Sequence, residues 1–308
     1  MKKFFMAVIA FMVTISASAQ FYIYFSNGTV AKVDSISMVA PADAEDPTNP
    51  DNPTNPDNPS TPSQGIGVFS VSATKQVTFS PGNLQYTQST NTWSFAENQY
   101  DYLGEANIAI SADLLADKID LFGWSTSASY FGVTSSSNVD DYSGSFVDWG
   151  TNRIGNDAPN TWRTLTYDEW EYLLNTRPNA RTLKGVAQVN GVNGLILLPD
   201  NWTYPAGVTF KWGFHSGCGT EYYAAYQTIT KEQWSKLESA GAVFLPTAGF
   251  RTLLYVYSLQ YSGHYWSATV PDVYSLSAHC FYLYSDSAHM DSSDRSYGLS
   301  VRLVKDLQ

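Results

Sequence analysis

Cysteine is nearly absent: only Cys218 and Cys280 occur in 308 residues. So few thiols exclude a small disulfide-stapled scaffold, and a chain of this length buries a full core without staples or metal. Basic side chains are also scarce. Seven Arg and ten Lys, nowhere clustered, stand against 28 acidic residues for a net charge of -11, which argues against nucleic acid or an anionic membrane as partner. No apolar run is long enough to span a bilayer. No Gly-rich phosphate loop and no Ser-His-Asp motif is readable. Charged residues make up 15% of the chain and aromatic residues an equal 15%, the balance of a loop-rich surface protein.

The first residues carry an address. Lys2 and Lys3 precede an apolar stretch from Phe4 to Ile15, followed by Ala17-Ser18-Ala19, the three-part pattern of a secretory signal with cleavage after Ala19. The expected locations are the cell surface, the periplasm or the extracellular space, with no transmembrane segment after cleavage. Residues 20–40 read as a short β-hairpin: Phe21, Ile23 and Phe25 alternate with Tyr22 and Tyr24, Asn27-Gly28 is a turn, and Val30 to Val33 return. Residues 41–65 form a linker in which Pro47, Pro50, Pro53, Pro56, Pro59 and Pro62 recur every third position. That spacing matches polyproline II, an extended spacer reaching roughly 50 Å from Pro47 to Pro62.

Residues 66–308 read as one domain. Short aromatic and β-branched segments (Gln76 to Phe79, Trp93 to Phe95, Leu195 to Leu198, Ala278 to Tyr284, Ser300 to Val304) predict strands. Clusters such as Pro81-Gly82-Asn83, Ser135 to Asp141 and Asn190 to Gly194 predict turns. Two helices begin at capping boxes: Thr166 with Glu169, placing Trp170, Leu173 and Leu174 on one face, and Thr230 with Gln233, placing Trp234 and Leu237 inward and Gly241 at the stop. Two short helices among many strands and long loops predict an α+β fold.

The segment Trp162-Arg163-Thr164-Leu165-Thr166-Tyr167-Asp168-Glu169-Trp170-Glu171-Tyr172 resembles the "WRLPTxxEWEYA" block of the formylglycine-generating-enzyme-like branch of the C-type lectin fold, without the proline between Leu165 and Thr166. Phe244 to Arg251, Gly263 to Thr269 and Gly298 to Val304 resemble its "LPAAGYR", "GYYWSST" and "GFSVRLV" blocks, and Phe79 to Leu84 with Asp120 to Trp124 is similar to its upstream part. The likeness covers most of residues 70 to 305. It is to a secreted bacterial family that includes target proteins of diversity-generating retroelements. The resemblance implies a C-type-lectin-like fold with small antiparallel sheets and long irregular loops, whose C-terminal strands carry a ligand-facing surface. It also assigns Trp266, Arg295 and Arg302 to the framework.

The residues point to the same surface. From Val270 to Tyr297, 28 residues contain no Lys, Glu, Gln or Trp, although these types fill 38 of 308 positions and about 3.5 were to be expected. All four need a purine at the third codon base, so codons ending in pyrimidine exclude them; Met290, which needs one too, is then framework. Residues 251–300 hold eight Tyr, eleven Ser and three of the four His, a paratope-like mixture of stiff amphipathic rings and adaptable hydroxyls. The candidate contact residues are Tyr255, Tyr257, His264, Asp272, Tyr274, His279, Tyr282, Tyr284, Asp286, His289, Asp291, Asp294 and Tyr297. The expected ligand is a protein or glycan on a cell surface.

Catalytic chemistry finds few carriers. Formylglycine-generating enzymes use two nearby thiols in their C-terminal part with copper, and no close pair exists here. An exported even count suits a Cys218–Cys280 disulfide, although Cys280 lies inside the variable-looking stretch. His215 and Cys218 make an H-x-x-C pair with no second pair nearby, which is too little for zinc. Val270-Pro271-Asp272 departs from the sugar-binding lectin motif at its first residue, and no Trp-Asn-Asp follows; calcium stays open because oxygen ligands abound. Asp168, Glu169 and Glu171 fall in a first helical turn, where carboxylates stabilise the dipole. The expectation is a binding protein, not an enzyme, with no catalytic residue, metal or cofactor assigned. The rivals are a structural subunit or adhesin of a surface assembly, with the N-terminal hairpin mediating assembly, and a formylglycine-generating-type oxidase.

Overall fold

The computed structural model describes residues 21–24, 30–33, 67–108, 117–127, 131–133, 142, 144–214, 226–252, 255–272 and 276–307. The expected signal and linker, and the turns at Asn27-Gly28 and Ser135 to Asp141, lie outside them. Two compact units divide the chain, residues 1–58 and 59–308. In the first, β1 (Phe21–Tyr24) and β2 (Val30–Val33) pair antiparallel, with Phe21 opposite Val33 and Tyr24 opposite Val30. A lone two-stranded hairpin is marginal in water.

The second unit is mixed α+β, with small sheets and few helices. Its first strands are β3 (Phe69–Ser70), β4 (Gln76–Phe79), β5 (Leu84–Thr87), β6 (Thr92–Phe95), β7 (Lys118–Ile119) and β8 (Arg163–Thr164). Helix α1 (Tyr167–Glu171) follows, then β9 (Lys184–Val189), β10 (Val192–Leu197), β11 (Gln227–Ile229) and α2 (Lys231–Ser239). The last strands are β12 (Val243–Pro246), β13 (Phe250–Thr252), β14 (Tyr255–Tyr257), β15 (Gly263–Trp266), β16 (Ser277–Leu283), β17 (Ala288–Asp294) and β18 (Leu303–Asp306). Among the described residues of this unit they form five sheets, ordered β3-β4-β18-β8, β6-β5-β7, β11-β9-β10-β12, β13-β14 and β15-β16-β17. Every strand pair is antiparallel except β11 with β9.

Both capping boxes form. Thr166 Oγ1 accepts the Glu169 N–H while Glu169 Oε2 accepts the Thr166 N–H, and Thr230 with Gln233 does the same. Trp170, Leu173 and Leu174 are buried as their spacing predicts, but α1 passes into a π-turn, Tyr172–Thr176. There the buried Lys184 ammonium donates to the Leu174 backbone carbonyl, in the widened turn, and to the Asn175 side-chain oxygen. Glu169 also meets Arg163 at 2.6 Å and Lys75 at 3.0 Å, and Arg163 reaches Asp306 at 2.7 Å. The first-turn carboxylate thus clamps α1 to β8 and β18.

The predicted turn at Asn190 to Gly194 is shorter than its composition suggests. Asn190 (φ 49°) and Gly191 (φ 82°) alone reverse the chain, and Val192 to Gly194 already pair with Val189 to Ala187, because a two-residue turn of this hand matches the twist of its strands. At the C-terminus the reverse occurs. Ser300 makes single bonds, accepting from the Trp266 N–H and donating to the His264 carbonyl, so the paired strand begins only at Leu303.

Three clusters form the core. Val186, Leu195 and Leu197 face one cluster with Trp170, Leu245, Phe281 and Leu283. Ala187, Val189 and Ile196 face another with Trp234, Leu237 and Phe244. Sheet β11-β9-β10-β12 is covered on both sides, which is why Leu195 to Leu198 is a continuous apolar run. The third cluster gathers Phe122, Trp124, Trp149, Trp266, Cys280, Leu299 and Val301.

Candidate functional site

Strand parity sorts the residues of β15-β16-β17 onto two faces. Tyr265, Phe281 and Met290 lie in register, with Phe281 stacked on Trp170 at 5.2 Å and the Tyr265 hydroxyl donating to the Pro246 carbonyl. This face belongs to the core. The other carries His264, Tyr282 and His289 in register, and one step along, Trp266, Cys280 and Asp291. Trp266 and Cys280 are buried at one end; at the other the rings reach the surface.

Those rings form one connected chain of contacts. Tyr282 lies 6.1 Å from Tyr284 and 6.0 Å from His289, with ring planes within 17° of each other. His264 packs edge-on against Tyr282 at 4.3 Å and touches Phe250 at 4.9 Å. Phe250 stacks with Tyr257 and with Tyr297, both at 5.8 Å, and Tyr257 meets Tyr255. Of the eight exposed large apolar side chains among the described residues, five (Tyr255, Tyr257, Tyr261, Leu276 and Tyr284) lie in this stretch. Apolar surface is therefore concentrated here, as at interaction sites.

The backbone holds the ladder in place. Phe250 and Tyr257 are cross-strand partners. Gly249, at φ 68°, passes so close to β14 that a Cβ would stand 2.1 Å from the Tyr257 carbonyl oxygen, so only glycine fits. Between β14 and β15, Ser258 and Gln260 also adopt positive φ. The Gln260 amide accepts from the Asn193 N–H and donates to the Tyr102 hydroxyl, pinning that turn. Tyr102 also lines a separate cleft of about 440 Å³ with Tyr100 and Lys118. The Tyr282 hydroxyl is fixed by a 2.6 Å bond to Ser293 Oγ.

Burial above all pushes the Tyr282 and Tyr284 hydroxyls above the usual tyrosine range; the Asp291 carboxylate adds to the effect on both, and Asp286 to that on Tyr284. Both rings therefore stay neutral. His264 is 4% exposed. Its Nε2 meets Ser262 Oγ at 2.7 Å, its Nδ1 has no partner, and burial pushes its pKa down to about 4. Cys280 is free and buried, with its thiol pushed up to about 12 by burial, the setting of an inert structural thiol. Its expected disulfide partner, Cys218, lies outside the described residues.

Seven of the thirteen expected contact residues are rings of this ladder: Tyr255, Tyr257, His264, Tyr282, Tyr284, His289 and Tyr297. His264 corrects the expectation in one respect, since it lies under the neighbouring rings and is not open to solvent. Asp286 and Asp291 are exposed beside the tyrosines whose ionisation they oppose. His279 and Asp294 fall on the opposite face, where His279 packs against Tyr167 at 4.4 Å and binds Ser292 Oγ through Nδ1. Asp272 is exposed and acts electrostatically on Arg295. Tyr274 lies outside the described residues. Phe250 was missed because it sits in a block that reads as framework; its alternation with the buried Arg251 was the available signal.

Trp266, Arg295 and Arg302 are buried. Arg295 lies over the Trp124 ring at 4.5 Å and donates to the Tyr142 and Gly144 carbonyls. Arg302 donates to Gln99 and Asn83, and Gln99 passes the contact to Glu238. Among the described residues no group of three or more His, Cys, Asp or Glu is placed to hold a metal ion, and no helix is long and apolar enough to cross a membrane.

Residues 220–304 match a domain family of unknown function, DUF8237. The matched span contains every ring of the ladder. No curated protein and no solved structure matches the chain.

Proposed function

We propose that this chain is an exported, C-type-lectin-like binding protein that holds a ligand on the aromatic ladder of β13 to β17. The observation that carries the reading is the ladder itself: eight rings in continuous contact, several open to solvent, six of them on β13 to β17 and Tyr284 and Tyr297 just past the ends of β16 and β17. Rigid aromatic side chains lose little entropy on binding and supply most hot-spot energy. The blocks at 162–172, 244–251, 263–269 and 298–304 support the lectin-like scaffold and kinship with retroelement target proteins. The acidic charge and the export signal support a place on the cell surface, in the periplasm or outside the cell.

A glycan and cell-surface protein array probed with the chain, and with a Tyr255→Ala, Tyr257→Ala, Tyr284→Ala variant of unchanged melting temperature, tests this. Loss of retention in the variant is expected, since hot-spot truncations cost about 2 kcal/mol each or more. Retention equal to wild type would place the ligand elsewhere.

A further inference from the structure

The charge around the ladder points to the ligand's chemistry. Between Thr252 and Val301 the sequence holds one Arg or Lys, Arg295, which is buried over Trp124, against four aspartates, Asp272, Asp286, Asp291 and Asp294, all exposed. Asp291 lies on the ladder face, in register with Cys280 and two residues from His289, and Asp286 sits in the turn between β16 and β17, two residues after Tyr284; both oppose the ionisation of Tyr284. Neutral tyrosine rings present a negative quadrupole on their faces, and a carboxylate at the rim adds to the same potential. His264 beneath them packs against Phe250, Tyr282 and Tyr284 with its neutral imidazole bonded to Ser262, and its buried Nδ1 is unpartnered. The ring beneath the ladder thus keeps one buried polar atom without a partner. The fold already pairs cations with rings elsewhere: Arg177 lies over Phe69 at 5.5 Å and Arg181 over Trp212 at 5.9 Å.

We propose that the ladder takes a basic segment of a partner protein, its arginine or lysine side chains seated on the Tyr282, Tyr284 and His289 rings and paired with Asp286 and Asp291. This rests on the binding reading above and names its ligand class. Exposed rings with exposed carboxylates beside them are complementary to a segment of spaced cations. Arginine suits it best, because a planar guanidinium stacks on a ring while its N–H groups reach a carboxylate.

Fluorescence anisotropy on the full chain tests this with three labelled nonapeptides, (Arg-Gly-Gly)3, (Ser-Gly-Gly)3 and (Glu-Gly-Gly)3. The arginine peptide is expected to bind and the other two to show no saturable signal. Tyr284→Ala, or Asp286→Asn with Asp291→Asn, should each weaken binding about tenfold or more. Asp117→Asn with Glu232→Gln, which removes two exposed carboxylates outside the ladder, should change it less than about twofold. Equal weakening in the control pair would reduce the binding to attraction by net charge and overturn the proposal, as would no binding of the arginine peptide. If arrayed neutral glycans are then held through the ladder tyrosines, the binding reading stands and only the cationic ligand falls. If the array is also blank, both fall.

Discussion

Protonating His264 inside the fold is unfavourable, and acid should destabilise the domain through this residue in a window set by its environment. The ring is 4% exposed, and burial is the only influence displacing its pKa, from 6.5 to about 4. The group is neutral in the folded state and takes up a proton more readily when unfolded. Its contribution to stability is therefore complete above pH 6.5, falls by about 1.4 kcal/mol per pH unit below that, and is spent near pH 4, for a total of about 3 kcal/mol. At pH 5 the loss should be about 2 kcal/mol, or roughly 4–8 °C in Tm for a domain of this size. His264→Phe keeps a ring against Phe250 and Tyr282 and removes the titration. Urea titrations followed by tryptophan fluorescence from pH 7.5 to 4.5 should show wild type losing about 2 kcal/mol more than the variant by pH 5. Carboxylates titrate in both proteins and cancel in the difference. Parallel pH profiles, or an imidazole NMR signal for His264 titrating near 6.5, would refute the burial argument.

Burial alone would raise the Glu169 carboxyl, yet hydrogen bonds from Arg163, the Thr166 N–H and Lys75 outweigh it and hold the pKa below the usual range. Its stabilisation is present above the unfolded value of about 4.5 and lost as pH falls through the lower folded one. Glu169→Gln should cost about 2 kcal/mol in urea at pH 7, and an unchanged midpoint would show the clamp to be idle. Gly249→Ala should destabilise the fold by on the order of 2 kcal/mol and change the near-UV spectrum of the ladder tyrosines, because both its φ and the Tyr257 carbonyl forbid a Cβ. Cys280 should resist iodoacetamide at pH 8 until denaturant is added; rapid labelling in peptide maps of the native protein would contradict its burial and raised pKa.

Much of the framework was legible because its signals are local. A Thr three residues before a Glu or Gln needs only its own turn to form a cap, and Thr166 and Thr230 both do so. Gln76 to Phe79 is a strand over the expected range, and Trp170, Leu173 and Leu174 face inward as a 3.6-residue period requires. The failures are non-local. Nothing near Glu171 announces a π-turn, since its support comes from Lys184 at the start of β9. Ser300 and Val301 have strand composition but meet partners one residue at a time, so the ladder of hydrogen bonds begins only at Leu303.

Composition already placed the tyrosines, serines and aspartates of residues 255 to 297 together along the chain, and alternation within a strand decides which neighbours share a face. What composition cannot supply is which face meets the core, because that depends on strands and helices distant in sequence. The pairing of β16 between β15 and β17 put His279 and Asp294 opposite the ladder, and sank His264 beneath Tyr282 while leaving Tyr284 and His289 open. Residue types and their periodicity were properties of the chain. The choice between floor, rim and reverse side was made by packing against Trp170 on one side and Phe250 on the other, contacts that exist only once the polypeptide has closed on itself.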